Sequence, residues 1–305
     1  MSDSLTLSVS SPDEAREPFL RLVARAALVD GQHPFNDQAQ IDAGKGTRSL
    51  LLAERNASVV GAAIVGQGEL EFVIDPEWRQ EGLGRQLLQI VLRNNGEGPL
   101  LAWAHGDHPA SRRLAATHRF DAVRTLLQLR RELSPATDAS APDSAPAASA
   151  LPAGFAVSTF RGGRDADDWV DLNARVFAEH DEQGSITAED LSFRLSEAWF
   201  DPDDFLLLRD SDGRLVGYNW LKVEPGDSVG EIYVVGVEEG HAGQGLGRHL
   251  MNLGLERLAE RGCTHAALYV DADNTRAVAL YRSLGFTDHT IDVQYAQRTA
   301  QNRAR

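Results

Sequence analysis

The sequence contains very little cysteine and no long hydrophobic run. A single cysteine, Cys263, stands among 305 residues, so an intrachain disulfide and a cluster of cysteine metal ligands are both excluded. No apolar stretch approaches the roughly 20 residues that a membrane-spanning helix needs. The first residues have neither the basic start nor the apolar core of a secretory signal. We therefore expect a cytoplasmic protein with no metal site and no membrane partner.

Basic residues are also scarce relative to acidic ones. The chain has 30 Lys and Arg against 45 Asp and Glu, a net charge of −15, whereas a nucleic-acid surface needs clustered Lys and Arg. An acidic surface suits a cationic or neutral small molecule. Hydrophobic residues make up 42% of the chain, which is typical of a globular protein, and the length allows two domains. We expect a monomer that binds a small-molecule amine and no nucleic acid.

The most informative stretch runs from Glu231 to Arg248 and reads EIYVVGVEEGHAGQGLGR. It begins with a β-branched and aromatic run that is typical of a strand. Glycines follow at positions 243, 245 and 247, and an apolar series with helical spacing starts at Leu246. The pattern predicts a strand, a glycine loop and a helix N-terminus, where backbone N–H groups and the helix dipole favour a pyrophosphate. The spacing argues against a dinucleotide loop of the G-x-G-x-x-G type, whereas an ordinary β-loop-α turn stays open at this point.

A second copy of this pattern lies earlier in the chain. Arg79 to Arg85, RQEGLGR, follows a predicted strand at 70–74 and leads into a predicted helix at 85–94. Gly82 and Gly245 are 163 residues apart, and Phe120 and Phe286, each after the last helix of its copy, are 166 apart. This near-constant offset indicates a duplicated domain. Because residues 134–153 are almost wholly Ala, Pro, Ser and Asp, we predict domains at 1–136 and 153–305 joined by a linker at 137–152.

Two polar stretches precede the glycine loops in their copies. Residues 31–46, with His33, Asp37 and Lys45, and residues 179–184, half of which are acidic, are both predicted to be loops. Thr187 followed by Asp190 predicts a capping box at the start of a helix.

The second glycine loop resembles the coenzyme A motif of the GNAT superfamily of N-acetyltransferases, Gln/Arg-x-x-Gly-x-Gly/Ala. The loop departs from this motif at its first position, Ala242, whereas Arg79 satisfies it in the first copy. The superfamily's closing motif, N-x-x-A-x-x-x-Y-x-x-x-G-F, is matched in full from Asn274 to Phe286. The resemblance implies an α/β (α+β layered) fold of two tandem GNAT domains, each a mixed, mostly antiparallel sheet flanked by helices. It also implies acetyl-CoA as co-substrate.

The GNAT resemblance implies two sets of acetyl-CoA contacts, one in each copy. In the second copy the backbone of Val235, Gly236 and Val237 is expected to hold the pantetheine arm and polarise the acetyl carbonyl, and the glycine loop is expected to bind the pyrophosphate. The set in the second copy is Val235, Gly236, Val237, Ala242, Gly243, Gln244, Gly245, Leu246, Gly247, Arg248, Asn274, Thr275, Arg276, Ala277, Val278 and Ala279. The set in the first copy is Phe72, Val73, Ile74, Gln80, Glu81, Gly82, Leu83, Gly84 and Arg85.

Acetyl transfer to an amine needs a base for the amine and an acid for the leaving thiolate. We assign Glu231 as the base and Tyr281 as the acid. An edge charge before a strand and a half-buried core aromatic are the structural alternatives for these two residues. In the first copy the position matching Tyr281 holds Ala115, and the position counted to match Glu231 is Gly68. We therefore interpret the first domain as non-catalytic but able to bind acetyl-CoA.

The duplication, the phrase EIYVVGV and the run LYVDADNTRAVALYRSLGF are together similar to the mycothiol synthase family of two-domain GNAT enzymes. That family acetylates the cysteinyl amine of 1D-myo-inositol 2-(L-cysteinylamino)-2-deoxy-α-D-glucopyranoside, abbreviated Cys-GlcN-Ins. The resemblance implies a catalytic second domain and substrate contacts at Asp37, Glu182, Lys222, Glu231 and Tyr269, although the family usually has Glu where Asp37 stands. A GNAT enzyme for an aminoglycoside, a polyamine or a peptide N-terminus, and a non-catalytic acyl-CoA sensor, remain as alternatives.

Overall fold

The computed structural model describes residues 5–9, 12–94, 98–133, 151–178 and 181–298. The predicted linker at 137–152 lies almost wholly outside the described residues. The helices of the described residues are α1 Pro12–Asp30, α2 Asp37–Lys45, α3 Leu83–Asn94, α4 Pro109–Thr117, α5 Gly162–Val176, α6 Asp181–Gly184, α7 Ala188–Leu195, α8 Leu246–Glu260 and α9 Thr275–Ser283. The strands are β1 Thr6–Val9, β2 Ser49–Arg55, β3 Ser58–Gly66, β4 Glu69–Ile74, β5 Leu101–His105, β6 Phe120–Glu132, β7 Ala156–Thr159, β8 Phe205–Arg209, β9 Leu215–Lys222, β10 Val229–Val237, β11 His265–Asp271 and β12 Thr287–Gln297.

The chain divides into two compact units, each of which contains a segment from the other half of the sequence. The first unit comprises residues 1–127, 271–273 and 290–305, and the second comprises residues 128–270 and 274–289. The last strand, β12, thus belongs mostly to the first unit, and the end of β6 belongs to the second. The sequence-based boundaries, 1–136 and 153–305, follow chain order and divide the chain differently at these two strands.

The sheet of the first unit has the strand order β1-β2-β3-β4-β5-β12. Its pairs are antiparallel except β4–β5, which is parallel and is joined at only two positions, Glu69 with Leu101 and Leu70 with Ala102. One face of the sheet packs against α1 and α2, and the other packs against α3 and α4. Successive side chains along each strand point to opposite faces of the sheet, as in any pleated strand.

The sheet of the second unit has the strand order β11-β10-β9-β8-β7, and the end of β6, residues 128–132, lies next to β11. The parallel pair here is β10–β11, and the pairs β7–β8, β8–β9 and β9–β10 are antiparallel. Aromatic side chains dominate the face that packs against α5 and α7; Trp169 and Trp220 are fully buried there. The opposite face packs against α8 through Leu246 and Leu250. None of the described helices is long and apolar enough to cross a membrane.

Both polar stretches that were predicted to be loops contain helices, so these two predictions are wrong. Asn36 caps α2 through a hydrogen bond that its side chain accepts from the Ala39 N–H at 2.7 Å, and Gly46 ends the helix at φ +73°. Buried Ala39 and Ile41 hold the helix on the sheet, which the polar composition concealed. The four residues Asp181–Gly184 form the short helix α6.

The predicted capping box at α7 is confirmed. The Thr187 hydroxyl accepts from the Asp190 N–H at 3.2 Å, and the Asp190 carboxylate accepts from the Thr187 N–H at 3.1 Å. These two bonds satisfy donors that the first turn of a helix otherwise leaves without partners.

We predict that a chain ended after His289 loses the fold of its first unit. The deletion removes the five-residue pairing of β12 with β5, and it removes Asp292, whose carboxylate accepts from the Gly106 N–H at 2.9 Å. Each kilocalorie per mole of lost stability lowers the thermal midpoint of a domain by several degrees, so the loss of a whole strand should lower it by more than about 10 °C. Differential scanning calorimetry and limited proteolysis measure the effect.

The control for this prediction is a chain ended after Arg298, which keeps all of β12 and should melt like the full chain. Unchanged protection of residues 49–105 from protease in the shorter chain would contradict the prediction.

Candidate functional site

The parallel strands of the second unit separate beside Glu231. Pairing between β10 and β11 covers only Val229, Gly230 and Glu231 on β10. A bulge on β10 follows at once, because the register with β9 shifts between Ile232 and Val234. From Ile232 to Val237 the backbone of β10 pairs with β9 alone, so its groups on the other side are open to a ligand. These residues include the three that were predicted to hold the pantetheine arm.

The glycine loop after β10 leads into an uncapped helix. Gly243 and Gly245 have φ of +80° and +78°, the left-handed region that favours glycine, and a side chain on either would meet no atom within 4 Å. No side chain caps α8, and its first backbone bond runs from the His249 N–H to the Gly245 carbonyl at 3.0 Å. The N–H groups of residues 246–248 thus lie outside the helix ladder, at the positive end of the dipole. This cradle fits the pyrophosphate that the sequence predicted.

Glu231 and Lys222 face each other in register and line one cavity of about 170 Å³. The Lys222 Nζ lies 5.4 Å from the centre of the Trp199 ring and 5.8 Å from the ring of Tyr233, the bulged residue. It also lies 3.3 Å from a carboxylate oxygen of Glu224. Two aromatic faces and an acid thus hold the ammonium group beside Glu231.

Tyr269 is not among the residues that line this cavity, but it is hydrogen-bonded to one that is, Gln128, which the sequence analysis did not select. The Gln128 side-chain amide donates to the Tyr269 hydroxyl at 2.7 Å, and Gln128 lines the cavity together with Glu231. Gln128 is only 6% exposed, whereas Tyr269 is 42% exposed. One feature of the sequence could have pointed to Gln128. In LLQLRRE, the polar residues Gln128 and Arg130 occupy alternate positions of a strand and therefore share one face.

Tyr281 is buried in α9 and is 8% exposed. Its ring packs edge-on against Phe286, with the centroids 6.1 Å apart. Burial raises the pKa of the Tyr281 phenol to about 12, so the hydroxyl keeps its proton across the physiological range. Asn274, the first residue of the closing motif, caps this helix by accepting from the Ala277 N–H at 3.1 Å. The motif therefore builds the helix that positions the tyrosine.

Glu182 lies in α6, and its side chain is outside the part of the chain that the structure describes. The backbone around it is held by Asn173, which is fully buried and donates to the Gln183 carbonyl at 2.6 Å. Gly184 is also needed here, since a side chain on it would lie 2.2 Å from the Phe177 carbonyl oxygen. Asp37 is the first residue of α2 and belongs to the first unit.

The strand registers correct one assignment in the first copy. Glu69 pairs with Leu101 and Glu231 pairs with Ala267, and Leu101 and Ala267 are 166 residues apart, the same offset as Phe120 and Phe286. The counterpart of Glu231 is therefore Glu69, and the choice of Gly68 was wrong by one residue. The cause is the bulge on β10, because β4 pairs with β3 without any shift of register.

The first unit retains the phosphate cradle. Gln80 and Gly82 have φ of +67° and +80°, close to the values at Gly243 and Gly245, and the first helix bond again starts at the glycine. Arg79 donates to both carboxylate oxygens of Asp30 at 2.6 and 2.8 Å, so it anchors the loop to α1.

A buried charge network crosses the gap between β4 and β5 in the first unit. His105 on β5 contacts Glu71 on β4 and Asp292 on β12, each at 3.0 Å. Glu71 is fully buried and also accepts from the backbone and side chain of Asn36, each at 2.8 Å. Glu69, the counterpart of the predicted base, is bound by the buried Arg48 at 2.8 Å. Ion pairs thus bridge the gap that the second unit leaves open.

The pKa of His105 is raised far above that of an ordinary histidine. Burial alone would lower it, but hydrogen bonds to Asp292 and Glu71 and the charges of both carboxylates together raise it to about 10, from an ordinary value of 6.5. The ring therefore carries a positive charge at neutral pH and compensates the two buried acids.

The sequence and structure of this chain resemble known acetyltransferases along nearly its whole length. A model of the Acetyltransferase (GNAT) family matches residues 168–286. The mycothiol acetyltransferase of Clavibacter sepedonicus is 47% identical over 291 residues, which cover 93% of this chain and 92% of that protein. The mycothiol acetyltransferase of Kocuria rhizophila is 40% identical, with coverages of 94% and 96%.

Two solved structures share the fold. A GCN5-related N-acetyltransferase from Sphaerobacter thermophilus has a TM-score of 0.68 at 24% identity and covers 97% of this chain and 96% of its own. A tandem GNAT protein from the clavulanic acid biosynthesis pathway has a TM-score of 0.70 at 18% identity, with coverages of 96% and 98%. The predicted fold class, two tandem GNAT domains with mixed sheets, is confirmed.

We predict that the stability of the first unit falls as the pH rises from about 6.5 towards 10. The folded His105 keeps a proton that the unfolded chain releases in this interval, so alkali favours unfolding, and the contribution is fully present only below about pH 6.5. Urea unfolding at pH 6.5, 8 and 9.5 measures the free energy of unfolding at each pH.

The His105→Gln variant should be less stable and should lack this decline. His118→Gln, at the end of α4 in the same unit, is the matched control and should keep it. Equal free energies of the unsubstituted protein at pH 6.5 and 9.5 would refute the assignment.

Proposed function

The chain belongs to the mycothiol acetyltransferase family of GNAT enzymes, and we propose that it transfers the acetyl group of acetyl-CoA to the cysteinyl amine of Cys-GlcN-Ins. The products are mycothiol and CoA. The observation that carries this proposal is the placement of Glu231, a carboxylate at the last paired position before the gap, on a cavity that Lys222 shares.

Acetyl-CoA would lie along the open edge of β10 in the second unit. The N–H groups at the start of α8 receive the pyrophosphate, and the backbone of residues 235–237 holds the pantetheine arm. A strand rises about 3.3 Å per residue, so Val237 and Glu231 are about 20 Å apart along β10. The thioester therefore approaches the bulge and Glu231 from the side of the glycine loop, and the amine approaches from the cavity.

Glu231 accepts the proton of the acceptor's ammonium group, directly or through one water, and leaves a neutral amine. The amine nitrogen attacks the thioester carbonyl and forms the new C–N bond, while backbone N–H groups near the bulge stabilise the oxyanion. The oxyanion then collapses, the C–S bond breaks and CoA leaves as a thiolate, while the nitrogen gives up its second proton through water, which protonates the thiolate to the CoA thiol. The Tyr281 hydroxyl donates a hydrogen bond to the leaving sulfur, and its raised pKa keeps the proton in place until charge develops there.

The first unit would bind a second acetyl-CoA without turning it over. Its glycine loop has the same backbone conformation as that of the second unit. Its counterpart of Glu231 is held by Arg48, and Ala115 stands where the acid would be. A phosphate cradle with no available general base or general acid can bind acetyl-CoA but does not catalyse acetyl transfer.

Thiol release from acetyl-CoA tests the proposed function directly. Cys-GlcN-Ins should be acetylated with kcat/KM at least about a hundredfold above spermidine, kanamycin or a short peptide, because buried polar groups in a site reject ligands that leave them without partners. Mass spectrometry identifies the product. A preference for one of the other amines would assign the enzyme to that substrate class, and binding of acetyl-CoA without turnover of any amine would indicate a sensor.

We predict that Glu231→Gln and Tyr281→Phe each lower kcat about a hundredfold or more, the usual loss when a general acid or base is removed. Acetyl-CoA should still bind, as measured by calorimetry. The loss in Glu231→Gln should shrink at alkaline pH, where the amine loses its proton unaided. Glu256→Gln, an exposed acid on α8, is the control and should retain full activity. Full activity of Glu231→Gln at neutral pH would remove the base from the mechanism.

We predict opposite outcomes for aspartate at the two loop glycines. Gly245→Asp places a carboxylate in the pyrophosphate cradle of the second unit and should abolish turnover. Gly82→Asp does the same in the first unit and should leave kcat within about twofold, while it halves the acetyl-CoA bound at saturation. Both sites have φ near +80° and room for a side chain, and Asp tolerates this region, so the two variants are matched. Loss of turnover in a folded Gly82→Asp protein would overturn the division of labour.

A further inference from the structure

The cavity beside Glu231 has two polar groups without partners in its wall. The side-chain oxygen of Gln128 and the Nε of Arg130 are buried, and neither has a hydrogen-bond partner among the described residues. The two residues are two positions apart on β6, so their side chains lie on the same face of the strand, and both line the cavity.

Buried polar groups in folded proteins nearly always have partners, since leaving one without a partner destabilises the fold. Other groups of this kind in the second unit, such as the indole N–H groups of Trp169 and Trp220, lie in the aromatic core and do not line this cavity. Gln128 is also fixed in place, because its amide nitrogen is engaged with Tyr269. The Gln128 oxygen is an acceptor and the Arg130 Nε–H is a donor, and both belong to residues of the cavity wall. A ligand in the cavity that supplies their partners best explains why they have none in the protein.

The position of the cavity assigns it to the acceptor rather than to acetyl-CoA. It is lined by Asp227 and Val229, which precede Glu231 on the chain, whereas the pantetheine edge and the glycine loop follow it. A molecule whose amine meets Glu231 therefore extends its remaining part into this cavity.

The chemistry of the wall favours hydroxyl groups. A hydroxyl both donates and accepts, so neighbouring hydroxyls satisfy an amide oxygen and a guanidinium N–H at once. The wall carries two cations, Arg130 and Lys222, and three acids, Glu224, Asp227 and Glu231, so an anionic ligand is disfavoured. A neutral polyol with one ammonium group matches this set.

We propose that Gln128 and Arg130 bind hydroxyl groups of the acceptor's sugar–inositol part and thereby determine the preference for that acceptor over simple amines. The proposal rests on the proposed function and adds to it the residues that recognise the polyol. It gives β6, a strand from the first half of the sequence, a direct part in substrate selection in the second unit.

Kinetics with a full and a truncated acceptor test the proposal. Cysteinamide keeps the reacting amine and the amide of Cys-GlcN-Ins but lacks the sugar and the inositol. Gln128→Leu and Arg130→Met should each raise KM for Cys-GlcN-Ins roughly ten- to hundredfold, as expected when a ligand's buried polar partner is removed. Their kcat/KM for cysteinamide and their KM for acetyl-CoA should change less than about twofold, within the usual effect of a substitution away from bound groups.

Two further variants serve as matched controls. Arg131→Met removes the next arginine, which points to the opposite face of β6 near Gly285, and it should leave KM for Cys-GlcN-Ins unchanged. Gln128→Glu keeps an acceptor at the same place and should retain most of the affinity that Gln128→Leu loses. If Gln128→Leu does not fold, Arg130→Met and Gln128→Glu carry the test.

Calorimetry with the pseudodisaccharide GlcN-Ins, which lacks the cysteine, separates this proposal from the proposed function. Binding of GlcN-Ins to the unsubstituted protein that is lost in Gln128→Leu and Arg130→Met supports the polyol site even if no acetyl transfer occurs. Equal losses for Cys-GlcN-Ins and cysteinamide, or GlcN-Ins binding that the variants leave unchanged, would overturn the polyol site while acetyl transfer to Cys-GlcN-Ins stands. A protein that neither binds GlcN-Ins nor acetylates Cys-GlcN-Ins would overturn both.

Discussion

The separation of two parallel strands is the constraint on which the second unit depends. Backbone N–H and C=O groups of a buried strand must find partners, and β10 leaves part of its edge without any from β11. The bulge at Tyr233 lies at the start of this edge, two residues after Glu231, which pairs with Lys222. In the proposed function a thioester donor supplies the missing partners along this edge, so the requirement for backbone hydrogen bonds becomes the means of binding. The fold and the proposed reaction then depend on the same backbone groups.

In the first unit the parallel strands β4 and β5 also separate, and charged side chains occupy the gap between them. Glu71, His105 and Asp292 close the gap between β4 and β5, and each charged group compensates its neighbours. A buried ion network of this kind confers little net stability over apolar packing, but removing one member is costly. The network occupies, in the first unit, the place of the open edge in the second. If the first unit is non-catalytic as proposed, the network shows how it can keep its glycine loop without an open edge beside it.

Much of the fold was predictable because it depends on local patterns. The glycine loops, the capping box at Thr187 and the repeat offset all reflect short-range rules of backbone conformation. The helix α2 was missed because its three buried residues are spread through a polar stretch, and only the sheet beneath them makes them a core. Glu69 was missed because a bulge adds one residue to one copy, and no count along the chain can show a bulge. Gln128 was missed because the cavity that it lines exists only after β6, β9, β10 and β11 assemble.

The assignment of β12 to the first unit has a consequence for how the protein is made. Synthesis proceeds from the N-terminus, and domains generally fold as units during it. Here one edge of β5 has no partner strand until residues 290–297 have been synthesised, about 185 residues further along the chain. Such an edge is a template for misassociation. The first unit therefore keeps this edge of β5 exposed while the whole of the second unit is synthesised, whereas a protein whose domains follow chain order could cover the edge before its second domain begins.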